Sequence, residues 1–182
     1  QIVVVDEAYF EFVERDDFPD GIKLISEYPN LVVFRTFSKM YGLAGLRIGY
    51  LAGSSSVVDV TRRACIVYSV NAVAQLAAYA ALDDAEHVRR TREHVKAQKA
   101  YLLDEIRNMG LQCQSGEGCF IMIKLPMSDT LAYRMLMSEG VMVRSMTGFR
   151  FPNWIRVSVG KREEMTAFIS ALRKTLEGRR VR

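Results

Sequence analysis

Lys39 and Arg47 stand eight residues apart in the stretch TFSKMYGLAGLRIGY, with Ser38 before the lysine and Gly42 and Gly45 between the two. Lys39 closes an apolar run, 31–34, and Arg47 lies inside a second one that ends at Gly53. Such a pattern ends a strand, turns the chain tightly and holds two cations near one another. Its glycines let backbone come close to a ligand. A lysine there can be a salt-bridge partner, a phosphate contact or a covalent amine, and the residue types alone leave the three open. The plain alternative is a solvated lysine on an ordinary strand-turn-strand. Asp6 is the second candidate. It ends the apolar run 2–5 and is followed by Glu7, Ala8 and Tyr9. Ligands of open α/β sheets gather at the carboxyl ends of strands, although an aspartate there can equally cap the next turn. Ile155, Val157 and Val159 alternate onto one face of a strand, so Arg156 points the other way. Arg144 follows an apolar run at 141–143, and Arg150 lies in the loop before Pro152.

The elements that must position these groups follow from periodicity. The run 2–5 is apolar at every position, as in a strand buried on both faces of a sheet. Glu11, Glu14, Asp16, Asp17 and Asp20 form an acidic, exposed loop, and a short helix over 22–28 stops at Pro29. Strands are expected over 31–37 and 46–52. Ser54 to Ser56 suit the start of a helix through 64. Asn71 caps an alanine-rich helix, 72–82, whose small side chains permit close packing on a sheet. A long helix over 85–109 buries Val88, Val95, Leu102, Leu103, Ile106 and Met109 and stops at Gly110. Beyond it lie strands over 119–125, 141–144 and 155–159, a helix over 130–138 and a final helix over 162–176 that buries Met165, Phe168, Ile169, Leu172 and Leu176. The frequent methionines of this part, such as Met122, Met137, Met142 and Met146, read as core filler.

Composition narrows the class. The chain has 182 residues, 49% of them hydrophobic, and a net charge of +4. That length allows one domain or two small ones with a real core. No apolar run is long enough to span a bilayer. Cys65, Cys113 and Cys119 are odd in number and lack metal spacing, which reads as reduced thiols in a cytoplasmic protein. His87 and His94 lie seven apart on the long helix with no third ligand near, so no metal site is expected. Arg89, Arg90 and Arg92, and the tail Arg179, Arg180 and Arg182, read as solvated charge and not as a nucleic-acid footprint, since no aromatic residues interleave them. The chain opens without a methionine, inside a strand that needs neighbours on both sides. The expectation is therefore the C-terminal part of a longer protein.

S-K-x-x-G-L-x-G-x-R-x-G, matched by Ser38, Lys39, Gly42, Leu43, Gly45, Arg47 and Gly49, resembles the cofactor-lysine segment of fold-type I pyridoxal-phosphate enzymes, class I/II aminotransferases. With V-D-E-A-Y-x-E-F upstream and W-I-R-V-S-V-G downstream, the whole chain is similar to the histidinol-phosphate aminotransferase family. That resemblance implies an α/β fold: the C-terminal half of a fold-type I transferase. Residues 1–83 would belong to the large mixed-sheet domain that binds the cofactor, and 84–182 would be a linker helix and a small α+β domain. It implies pyridoxal 5'-phosphate, with Lys39 forming the Schiff base and moving the proton, its amine kept partly neutral by burial and a positive neighbour. Asp6 would face the pyridine nitrogen, Tyr9 the ring hydroxylate, and Ser38 and Arg47 the phosphate. Arg156, with Arg144, would take the anionic end of the substrate. The implied reaction moves an amino group between glutamate or 2-oxoglutarate and histidinol phosphate or an aromatic amino acid. The implied partners are these small amino and keto acids and a second subunit in a homodimer, with no nucleic acid and no membrane. Two other readings share the architecture: a phosphothreonine decarboxylase and a non-catalytic ligand-sensing module. The chain departs from the family pattern at Cys119, where many relatives carry asparagine.

Overall fold

A computed structural model describes residues 1–177. The tail arginines Arg179, Arg180 and Arg182 lie outside the described residues. The chain divides into two compact units, 1–92 and 93–182. Both mix helices and strands.

The first unit is built on a three-stranded sheet in the order β1-β2-β3. Strand β1 (Val3–Asp6) runs parallel to β2 (Leu31–Thr36), and β3 (Gly49–Gly53) is antiparallel to β2. Leu31, Val32 and Val33 of the central strand are buried. The expected burial of 2–5 is not found: these residues are 38% to 53% exposed. The reason is positional. Among the described residues strand β1 is hydrogen-bonded on one side only, and Ile2 and Val4 line an open apolar groove with Val57 and Val60. The third strand starts three residues later than expected, because residues 44–46 form a 3-10 turn and Arg47 is left-handed, with φ 54°.

Helix α1 (Gly21–Leu24) is a single turn, shorter than expected, with Asp20 accepting from the Ile22 N–H at 3.1 Å. Helix α2 (Ser55–Ala64) packs on β3. Ser54 precedes it, but its hydroxyl donates to the Pro29 carbonyl at 2.8 Å and does not cap the helix. Helix α3 (Ala72–Leu82) is capped by Asn71, whose Oδ1 accepts from the Ala74 N–H at 2.8 Å. Of that helix only Ala74 and Ala78 are buried, while Val73, Leu76, Tyr79 and Leu82 are exposed. The expected close packing is thus limited to its alanine stripe. The acidic loop is not wholly exposed either. Glu11 and Asp20 are half-buried, because Arg35 and Arg92 draw them in: Arg35 pairs with Asp20 at 2.7 Å, and Arg92 donates to the Glu11 carbonyl at 2.7 Å. Arg92 is therefore not simple solvated charge.

Helix α4 (Ala85–Asn108) begins in the first unit and continues into the second. Val95, Gln98, Leu102 and Ile106 form its buried stripe. It ends as Gly110 predicts. Gly110 has φ 69°, the Gly110 N–H bonds Arg107 O at 2.8 Å, and the Leu111 N–H bonds Ile106 O at 3.2 Å. Those two bonds satisfy carbonyls that the last turn would leave open.

The second unit carries a four-stranded antiparallel sheet in the order β4-β5-β7-β6. The strands are β4 (Cys113–Ser115), β5 (Phe120–Lys124), β6 (Arg144–Ser145) and β7 (Trp154–Ser158). Helices α5 (Asp129–Ser138) and α6 (Arg162–Glu177) complete it. Ile121, Ile123, Ile155, Leu102, Phe168 and Leu172 form its fully buried centre. Each such side chain contributes about 1.5–3 kcal/mol on leaving water. Strand β4 was not expected, since Cys-Gln-Ser carries no alternation; it forms through its backbone register against β5. The expected strand 141–144 shrinks to two residues. Gly140 takes φ 78°, and the Val141 N–H is used on Leu136 O at 2.9 Å to end α5, so the ladder starts only at Arg144. Met146 and Met165 are core, but Met137 is exposed and Met142 is 79% exposed, so these two are not filler. No helix among the described residues is long and apolar enough to cross a membrane.

Candidate active site

The lysine loop is held by its neighbours and its backbone and not by the Lys39 side chain. Phe37 and Met40 are buried on either side of it. The Ser38 N–H donates to Thr36 Oγ1 at 3.0 Å, and the Leu43 N–H to Phe37 O at 3.0 Å. His87 Nε2 lies 3.0 Å from Met40 O. Gly42, with φ 69°, donates to Lys39 O at 3.1 Å and turns the chain. Lys39 is left exposed, which differs from the burial expected of it, with Nζ 5.5 Å from the centre of the Tyr9 ring. A cation over an aromatic face is held by the ring quadrupole. Ser38 and Tyr9 are half-buried.

Arg47 is exposed, and its guanidinium donates to Ala44 O at 2.8 Å. Among the described residues no carboxylate pairs with Lys39 or Arg47. Asp6 ends β1, in register with Phe34 on β2. Its Oδ1 accepts from the Ala8 N–H at 3.1 Å, so the turn-capping role exists, and the carboxylate remains exposed. The segment after it is fixed by Glu7, a residue that sequence reasoning missed. Glu7 is buried. It accepts from Gly21 N at 2.8 Å and from Arg35 Nε and Nη2 at 3.0 and 2.8 Å. Arg35 also stacks over Phe10 at 3.7 Å. A Cβ on Gly21 would sit 2.5 Å from Glu7 Oε1, so this position has room only for glycine unless the carboxylate shifts. The ladder thus places Asp6, and a buried ion pair locks the turn beyond it.

In the second unit Arg156 lies on the face opposite Ile155 and Val157, as alternation requires, with its guanidinium 5.1 Å from the Phe120 ring centre. Arg144 stands directly across the ladder from it. Like charges directly opposite are destabilising, and neither arginine has a carboxylate partner among the described residues. Both line a cavity of about 530 Å³ with Met142, Ser158 and Glu164. Arg150 is exposed and left-handed at the end of a 3-10 turn. Cys119 is half-buried just before β5, and its carbonyl accepts from Val159 N at 2.9 Å.

In the first unit the exposed cations Lys39 and Arg47 and the strand-end carboxylate of Asp6 are open to solvent; in the second, Arg144 and Arg156 face one another across a ladder. The comparison with known proteins gives these groups their context. The family model "Aminotransferase class I and II" matches residues 1–172.

The chain belongs to the class I and II aminotransferase family.

Among relatives of this aminotransferase-family chain, "Histidinol-phosphate aminotransferase 2" of Pseudomonas aeruginosa is 42% identical over 175 residues, covering 96% of the chain and 47% of that protein. The protein of the same name from Carboxydothermus hydrogenoformans is 43% identical over 177 residues, covering 97% and 49%. The crystal structure of histidinol-phosphate aminotransferase from Sinorhizobium meliloti in complex with pyridoxal-5'-phosphate superposes with a TM-score of 0.86 at 26% identity, over 97% of this chain and 49% of that one. The chain spans about half the length of the curated relatives it matches.

Sequence reasoning missed Asp129 as well as Glu7. Asp129 begins α5, is 1% exposed and gathers donors from residues 145–153. Ser-Asp-Thr at a helix start signals a cap and nothing more, because the donors are more than fifteen residues away.

Proposed function

We propose that the full-length protein is a pyridoxal-phosphate-dependent aminotransferase that moves an amino group between histidinol phosphate and 2-oxoglutarate, working as a homodimer. The observation that carries this is that Lys39, just beyond the end of β2, and Arg47, just before β3, are both exposed with no carboxylate partner among the described residues, while the parallel neighbour β1 ends in Asp6. The donor set fits the cofactor: an amine, a guanidinium and a hydroxyl for an aldehyde and a phosphate, a carboxylate for a ring nitrogen. When bound, pyridoxal phosphate supplies an electron sink for the electrons left as the substrate α-C–H bond breaks. Lys39 would hold the cofactor through its amine and carry the proton at the substrate α-carbon. Asp6 would hold a proton on the pyridine nitrogen by charge. Tyr9 would donate its hydroxyl hydrogen to the ring oxygen. Ser38 and Arg47 would bind the phosphate, the arginine through charge-assisted bonds of roughly 1.5–3 kcal/mol each. We place the cofactor-binding part in 1–83 and the substrate arginines in 84–182. The exposed face of α3, with Leu76 and Tyr79, supports a partner surface. The decarboxylase and sensor readings find less support, since the relatives above carry the aminotransferase name.

Arg156 and Arg144 would take the substrate anion. Glutamate brings a carboxylate and histidinol phosphate a phosphate, and a guanidinium fork matches both. Arg156→Ala should slow single-turnover cofactor conversion with each substrate. Arg144→Ala should slow it more with histidinol phosphate than with glutamate. Arg156→Lys should rescue only in part, because an ammonium offers no planar fork. Equal slowing by Arg144→Ala would refute the division of labour. No effect of Arg156→Ala on either substrate would refute the assignment itself.

A further inference from the structure

We infer that Asp129 is a positioning residue for the anion-binding arginines: it pins the connection between β6 and β7 and so holds Arg144 opposite Arg156. This rests on the reading of Arg144 as a substrate-anion ligand. Asp129 Oδ2 accepts from the Ser145 hydroxyl at 2.5 Å and from the backbone N–H groups of Met146 and Thr147, each at 2.9 Å. Oδ1 accepts from the Thr147 hydroxyl at 2.6 Å and the Asn153 N–H at 3.0 Å. The donors come from both ends of the connection. Ser145 follows Arg144 directly, and Asn153 directly precedes β7.

The arrangement needs such a clamp. Strand β6 is a two-residue edge strand. Its register sets Arg144 against Arg156, two guanidinium groups without carboxylate partners among the described residues. So short a ladder gives little to set against like-charge repulsion. Asp129 makes no ion pair with either arginine among the described residues, and its two oxygens face the five donors of the connection. It fixes backbone and leaves the arginine charge available to a ligand. An isosteric amide cannot do the same. Whichever oxygen becomes NH₂, it faces at least one backbone N–H, which cannot rotate away as a hydroxyl can. The connection must then shift, and a displacement on the order of 1 Å at a binding group can cost up to about 10²-fold.

The test uses the full-length enzyme with Asp129→Asn, Arg144→Ala and the double variant. We expect Asp129→Asn to raise KM for histidinol phosphate about tenfold while kcat stays within about twofold, as loss of positioning for binding requires. The calorimetric Kd for inorganic phosphate should rise in parallel. In the double variant Asp129→Asn should add nothing to Arg144→Ala, because residues acting as one unit are not additive. If Asp129→Asn folds poorly, Ser145→Ala with Thr147→Val, which removes two hydroxyl donors only, should show the same pattern at smaller amplitude. Unchanged KM and Kd in both clamp variants, or full additivity with Arg144→Ala, would overturn the inference while leaving Arg144 a ligand. If Arg144→Ala itself leaves KM and Kd unchanged, the ligand reading has failed and takes the inference with it.

Discussion

Glu11 shows how a residue can be costly where it stands. Its Oε2 is buried with no hydrogen-bond partner, and burial raises its carboxyl pKa, with Glu7 adding to that and Arg35 and Arg92 opposing it. The folded chain therefore binds this proton more tightly than the unfolded chain does. Stability from the group is full below the ordinary carboxyl range and is lost as the pH rises through the raised value. Glu11→Gln should thus leave the melting temperature nearly unchanged near pH 4 and raise it at pH 7. Equal shifts at both values would show that charge is not the cause. Asp129 has the opposite sense. Burial would push its carboxyl up, but the bonds from Ser145, Thr147 and Asn153 win and hold it well below the usual range. Neither carboxylate was legible as special in the sequence, because Arg35 and Arg92 beside Glu11 and the donors around Asp129 are remote in the chain. The positions of Asp6 at a strand end and of Arg156 on one strand face were legible, because local pattern sets them.

At the scale of elements, residues with a period were read well and residues held by remote partners were not. The stripe Val95, Leu102 and Ile106 marks α4, and the alternation Ile155, Val157 marks β7. Strand β4 has no period, and the all-apolar run 141–143 loses its ladder to the cap of α5. The all-apolar run of β1 says what could be covered, not what covers it. Gly110 offers a clean check on the capping account. A Cβ there meets nothing within 4 Å, so only its left-handed backbone resists substitution. Gly110→Ala should then cost about 1–2 kcal/mol in urea unfolding without changing the core. No loss of stability would mean that the turn relaxes freely and does not define the helix end.

Across the whole molecule, the residues proposed to hold the cofactor all fall in the unit 1–92, and the two proposed for the substrate anion in the unit 93–182. The family assignment rests on nearly the full length of the chain, and the matched relatives are about twice as long as the chain. What joins these levels is one side chain, Lys39, exposed at the end of β2 between two buried anchors. The most direct measurement is borohydride reduction of the full-length protein loaded with pyridoxal phosphate, followed by mass spectrometry of its peptides. The account predicts the reduced cofactor on Lys39 alone, with the label and the transamination both absent in Lys39→Ala. A label on another lysine, such as Lys23 or Lys124, with Lys39 unmodified would contradict it.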